Sequence, residues 1–117
     1  MHFDIVVALW GELYRQLFLK ICLPSLNTPR NLAALAGAGS ATLWIYTTPA
    51  DAQELAGAAL REHLPPAIDL RTVVVDGIGQ SNRIADHYRD LTRCHQLAVR
   101  DAANRDAVMI FLPGDGV

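Results

Sequence analysis

The residues whose types could support chemistry gather where apolar runs of this chain end. Trp10-Gly11 follows one run, Thr47-Thr48-Pro49 a second and Asp76-Gly77 a third, while Asp115 stands just after a fourth. Polar groups collected at the carboxyl ends of parallel strands are where nucleotides bind in open α/β sheets. Trp10, Gly11, Thr47, Thr48 and Asp76 are therefore candidate nucleotide-binding residues, and His95, on the helix expected after the third run, joins them. Each has an ordinary alternative. Asp at a strand end is also a common turn or cap residue, and a lone His on an apolar helix face is also a satisfied core residue. The constellation alone names no reaction.

More specific motifs fail on context. Gly37-Ala38-Gly39 precedes an expected strand instead of following one, so it lacks the strand, glycine loop and helix order of a dinucleotide fingerprint. Gly77-Ile78-Gly79 does follow a strand, with Ser81 available as a helix cap, and its amides could cradle a phosphate. It has no third glycine, so the signal is weak and a plain turn is the favoured reading. No lysine completes a phosphate-binding glycine loop, and there is no Gly-x-Ser-x-Gly elbow or His-Glu-x-x-His pair. Cys22 and Cys94 lie far apart without zinc-type spacing, which reads as reduced core thiols.

These residues must be positioned by a modest scaffold. The 117 residues provide for one domain, 1–117, large enough to bury a core without disulfides or metal. Ten Lys and Arg against twelve Asp and Glu give a formal charge of −2, which lacks the basic field of a nucleic-acid binder. Nucleic acid is not an expected partner. The apolar start is too short and too poor in basic residues for a cleavable signal, and Leu13 to Leu26 is interrupted by Arg15, Gln16 and Lys20. The expectation is a cytoplasmic protein with no membrane span.

Strand and helix patterns alternate along the chain. Phe3 to Leu9 reads as a buried strand, followed by a helix from Gly11-Glu12 to about Leu23, where Pro24 should stop it. A short helix is expected over Asn31 to Leu35. Thr42 to Thr47 is the second strand, and Thr48-Pro49 has the form of an N-cap and first-turn proline for a helix reaching about His63. Ile68 to Val75, a helix within Gln80 to Asn104, and a strand over Asp106 to Leu112 complete the series. Such alternation implies βαβ crossovers and a Rossmann-like three-layer α/β sandwich with a mostly parallel four-stranded sheet in the order 3-2-1-4. Trp10-Gly11 and Pro113-Gly114-Asp115 would then lie side by side at the switch point.

At about 100° per residue, Tyr14, Leu17, Phe18 and Ile21 form one face of the first helix, with Leu19 and Leu23 among polar residues on the other. That surplus apolar surface suits either burial under the Leu32 to Leu35 segment or an interface with another subunit or a missing domain. On the third long helix, Ile84, Tyr88, Leu91, Ala98 and Ala102 form a stripe containing His95.

Four runs carry a family resemblance: Tyr14 to Leu26 (YRQLFLKICLPSL), Trp44 to Ala52 (WIYTTPADA), Leu91 to His95 (LTRCH) and Phe111 to Asp115 (FLPGD). Together they resemble the N-terminal, nucleotide-binding half of bacterial GT-A-type glycosyltransferase-like proteins, the nucleotide-diphospho-sugar transferases. The resemblance implies a nucleotide sugar as ligand. It also implies that the fourth strand delivers an acidic motif, often Asp-x-Asp, that holds Mg²⁺ or Mn²⁺ against the diphosphate. Asp115 stands at that position, but residue 117 is Val where a second Asp would be. A hard cation of this kind takes carboxylate and phosphate oxygens and neutralises charge on the leaving diphosphate. Asp115 is thus either a lone metal ligand or a solvated Asp. No acceptor-binding half follows it in this sequence, so the chain alone is expected not to be catalytically competent. The alternative is a non-catalytic Rossmann-like scaffold or interaction module that oligomerises through its first helix.

Overall fold

In a computed structural model the described residues are 1–26, 34, 37–58, 60–81 and 83–112. Apart from residue 34, the expected helix over Asn31 to Leu35 lies outside them, as does the metal candidate Asp115. Strands β1 (His2–Ala8), β2 (Ser40–Thr47), β3 (Ile68–Val74) and β4 (Ala107–Leu112) form one sheet. Its order is β3-β2-β1-β4 and every neighbouring pair is parallel. This is the expected Rossmann-like arrangement, and it places β1 centrally, with Val6 level with Trp44 on one side and Phe111 on the other.

The central position explains the composition of β1. Successive side chains of a strand point to opposite faces, so a strand covered on both sides must be apolar at nearly every position. Ile5, Val7 and Leu9 enter one core with Leu43, Ile45, Phe18 and Leu55, while Val6, Ala8 and Trp10 enter another with Tyr46, Cys94 and Ala98. Helices α1 (Glu12–Leu17), α2 (Leu23–Leu26) and α3 (Pro49–Gly57) accompany the first core. A single long helix, α4 (Ile84–Ala102), covers the second.

Two expectations about helix faces are corrected. A π-helical turn, Phe18–Cys22, joins α1 to α2, and helical backbone continues through Pro24 to Leu26. Proline removes an amide donor and crowds the carbonyl of the preceding turn, and a widened turn just before it relieves that conflict. The same widening rotates later residues relative to a regular wheel. Leu23 is therefore buried at 2 % exposure and Leu19 packs against the core, whereas Ile21 is 51 % exposed. Surplus apolar surface on this first helical stretch lies at Leu13 and Ile21, not at Leu19 and Leu23.

On α4 the buried residues are Asp90, Cys94, Ala98 and Ala102, while Ile84 and Tyr88 are exposed. Small side chains let the helix settle close to the sheet, and Asp90 can be inside because it accepts a hydrogen bond from the Gly79 amide. The helix from Pro49 also divides: α3 ends at Gly57, and a 3₁₀ turn, Leu60–His63, precedes Pro65.

At the amino edge of the sheet, Asp4 is fully buried yet satisfied. Trp44 Nε1 donates to its Oδ1 at 2.9 Å, Arg105 Nε donates to its Oδ2 at 2.9 Å, and the Arg105 guanidinium lies 4.5 Å from the Trp44 ring centre. This network ties the loop before β4 to β1 at the end of the sheet opposite the ligand edge, so its role is structural. No helix among the described residues is long and apolar enough to cross a membrane.

Candidate ligand cleft at the strand switch point

The chain leaves β1 through Trp10 and reverses at Gly11, whose φ of 87° favours glycine. The Gly11 carbonyl accepts the Arg15 amide at 3.0 Å and starts α1. Its amide donates to Asp51 Oδ2 at 3.1 Å. Asp51 also takes the Thr48 hydroxyl at 2.5 Å and the Arg15 guanidinium, and the Asp51 amide donates back to Thr48 Oγ1 at 3.1 Å. The Thr48 to Asp51 pair is a reciprocal helix cap, and Asp51 extends it into a clamp between α3 and the β1–α1 turn. Burial alone would raise the Asp51 pKa, but the Thr48 hydroxyl, the Gly11 amide and Arg15 together hold it below the ordinary value.

The β3–α4 loop forms the opposite wall. Gly79 has φ 70°, and a Cβ there would lie 2.6 Å from Trp10 Cδ1, so the indole rests directly on glycine backbone. The Gly79 amide donates to buried Asp90 Oδ2 at 3.0 Å. That bond answers the phosphate-cradle expectation for Gly77-Ile78-Gly79: this amide is occupied, and by a carboxylate that would repel a phosphate. Ser81 is also engaged, donating to Asp86 at 2.8 Å and accepting the Arg83 amide at 3.1 Å, which places it beside the start of α4.

Between the two loops a cleft of about 820 Å³ opens at the carboxyl ends of β1 and β4. Its most informative walls are aromatic. The His87 ring is nearly parallel to Tyr14, with centres 5.4 Å apart and an 18° tilt. It meets Trp10 at 5.0 Å and Tyr88 edge-on at 6.0 Å. His95 also reaches the cleft and packs edge-on against Phe111 at 4.9 Å, and burial lowers its pKa, favouring the neutral ring. The described lining includes the carboxylate of Glu12 but neither Lys nor Arg.

The structure thus brings Trp10, Gly11 and His95 to one cleft, while Thr47, Thr48 and Asp76 are not among its described lining residues. Thr48 is the α3 cap. Thr47 is fully buried, its carbonyl accepting the Val75 amide at 2.8 Å and its hydroxyl lacking a protein partner among the described residues. Asp76 is exposed in the turn after β3. Tyr14, His87, Tyr88 and Asp51 were not among the candidates. Asp51 had a visible signal, since Thr48-Pro49-Ala50-Asp51 has capping-box form. The ring cluster did not, because it joins two helices distant in sequence.

Chemically, this arrangement can stack and enclose a planar ring. The Cys94 thiol is pushed up to about 11 by burial and is a poor nucleophile. Among the described residues no group of three or more His, Cys, Asp or Glu is arranged to hold a metal ion. The fold and cleft define a class: a Rossmann-like α/β domain with an aromatic-walled cleft at its topological switch point. No protein family, curated protein or solved structure matches the chain.

Proposed function

We propose that this chain binds a nucleotide at the switch-point cleft, as the nucleotide-sugar-binding half of a glycosyltransferase-like protein. The observation that carries the reading is the cluster of Trp10, Tyr14, His87 and Tyr88 at the site where open α/β sheets take their ligands. A base stacked on such rings gains about 1–3 kcal/mol per aromatic contact without specifying its identity.

The described residues of the cleft walls include no Lys or Arg to meet a diphosphate, so in this reading a divalent metal, Mg²⁺ or Mn²⁺, supplies that charge. The described residues do not provide a ligand set for it, and its candidate ligand is Asp115, outside them. No catalytic step is assigned to this cleft. Calorimetry with uridine and guanosine and their diphosphates, each with and without Mn²⁺, tests the reading. Weak metal-independent nucleoside binding and tighter metal-dependent diphosphate binding are expected; the absence of binding in every arm would reject it.

The scaffold alternative retains one specific support, the exposure of Leu13 (66 %) and Ile21 (51 %) on the first helical stretch. A homo-oligomer built there would dissociate, by light scattering, when both become Ser. An unchanged mass would exclude that interface.

A further inference from the structure

The amino edge of the sheet, at the end opposite the cleft, carries a second polar constellation. Parallel register sets His2 level with Ser40 and Asp4 level with Thr42. Side chains two apart on a strand share a face, so His2 and Asp4 point the same way and meet Ser40 and Thr42 across the ladder. Ser40 Oγ lies 2.6 Å from His2 Nδ1, and His2 Nε2 lies 3.2 Å from both Asp4 Oδ1 and Thr42 Oγ1. Exposure rises along this series, from the fully buried Asp4 side chain through His2, 32 % exposed, to an exposed Ser40.

The ring tautomer follows from the partners. Trp44 Nε1 and Arg105 Nε donate to the two oxygens of Asp4, and beyond tying the sheet together they hold the carboxylate against the imidazole. A carboxylate oxygen accepts, so Nε2 carries the ring proton, with Thr42 Oγ1 beside it, and Nδ1 is left to accept the Ser40 hydroxyl. Ser40 is held in turn. Its amide donates to the Met1 carbonyl at 3.1 Å, and a Cβ at Gly39 would lie 1.9 Å from that oxygen, so only glycine lets the chain approach β1 this closely.

From this geometry we propose that Ser40 is a nucleophile activated by His2, with Asp4 as the positioning residue, and that it accepts the acyl group of an activated ester. A hydroxyl bonded to a base that a third group orients is the arrangement nucleophilic acyl transfer requires, whatever the fold. Ser40 Oγ bonds to the carbonyl carbon while its proton passes to His2 Nδ1. The ester C–O bond breaks, and the leaving oxygen takes that proton and departs as the alcohol. A water molecule, deprotonated by His2, then releases the acid and restores Ser40. The Ser40 amide is engaged by Met1 and does not serve the developing oxyanion, which restricts the acyl donor to esters with a good leaving group. The site is independent of the nucleotide reading, since His2, Asp4 and Ser40 are not among the described lining residues of the cleft.

The test is labelling of the whole chain with diisopropyl fluorophosphate, located by peptide mass spectrometry, alongside p-nitrophenolate release from p-nitrophenyl acetate. With the fluorophosphate, phosphorus takes the place of the carbonyl carbon, fluoride leaves, and the proton passes through His2 to solvent. An adduct on Ser40 is expected, and phenolate release should fall to background in the labelled chain and in Ser40→Ala. His2→Ala should slow labelling by about a hundredfold or more, with partial recovery on adding imidazole. In Asp4→Asn, labelling should slow with the fold intact by circular dichroism, while the ring-nitrogen NMR shifts of His2 report loss of the Nε2–H tautomer. Ser40→Ala and His2→Ala preserve the test if Asp4→Asn impairs folding. The proposal is overturned by an unlabelled Ser40, or by labelling that is equally fast in His2→Ala or in the urea-denatured chain. It is equally overturned by phenolate release that Ser40→Ala leaves undiminished.

Discussion

Replacing Gly79 by Ala probes the contact that sets one wall of the cleft. Two costs add at this position. The backbone has φ 70°, where an L side chain costs about 1–2 kcal/mol. The added methyl would sit 2.6 Å from Trp10 Cδ1 and 3.1 Å from Cγ and Nε1, so the buried indole must move, which in a packed core costs about 1–3 kcal/mol. The sum, about 2–5 kcal/mol, is a large part of an ordinary domain's stability. At about 4 °C per kcal/mol for a chain of this size, the melting temperature should fall by roughly 8–20 °C. Gly57→Ala is the internal control, since nothing lies within 4 Å of its added Cβ; it should be neutral or slightly stabilising. Thermal denaturation by circular dichroism reads both, and the Trp10 indole resonance reports the displaced ring. A loss below about 1 kcal/mol for Gly79→Ala, with an unmoved indole signal, would refute the claim that glycine is required for the seating of Trp10.

Other expectations concern ionisable groups. Asp51→Asn keeps the shape of the helix cap but leaves Arg15 without its carboxylate, and should cost about 2–3 kcal/mol in urea denaturation at neutral pH. Because the folded Asp51 pKa lies below its ordinary 3.8, its contribution is fully present above that value and is lost as pH falls through the folded pKa; the gap between variant and wild type should close there. Burial lowers the folded His95 pKa below 6.5, so its contribution is present above 6.5 and lost as pH falls through the folded pKa; His95→Gln should flatten the stability profile below pH 6.5. The Cys94 thiol, raised to about 11, should react with iodoacetamide at about pH 8 far more slowly in the native chain than in denaturant.

The sheet was legible in the sequence because its cause is local. Four apolar runs separated by helix-length segments leave few topologies, and the right-handed crossover rule narrows them further. The Thr48-Pro49 helix start was legible for the same reason. What escaped depended on contacts between distant residues. The phase of the first helical stretch turns on a π-turn before Pro24, so a regular wheel assigned Leu23 to the wrong side. The inner face of α4 includes an acid, Asp90, whose burial depends on its bond to the Gly79 amide, a contact from a separate loop. The site shows the same division. Trp10, Gly11 and His95 follow from the strand ends and the α4 stripe, whereas the meeting of Tyr14 with His87 exists only after β1 and β3 have delivered their loops to one edge.

The central claim, that the aromatic cleft receives the planar ring of a nucleotide, is tested most directly by NMR titration with a nucleoside diphosphate and Mg²⁺. The Trp10 indole and the His87 and Tyr88 ring signals should shift together and saturate along one binding curve, while the Trp44 indole, held in the Asp4 network at the opposite end of the sheet, stays fixed. Saturable binding that leaves the Trp10 and His87 signals unmoved would contradict the account.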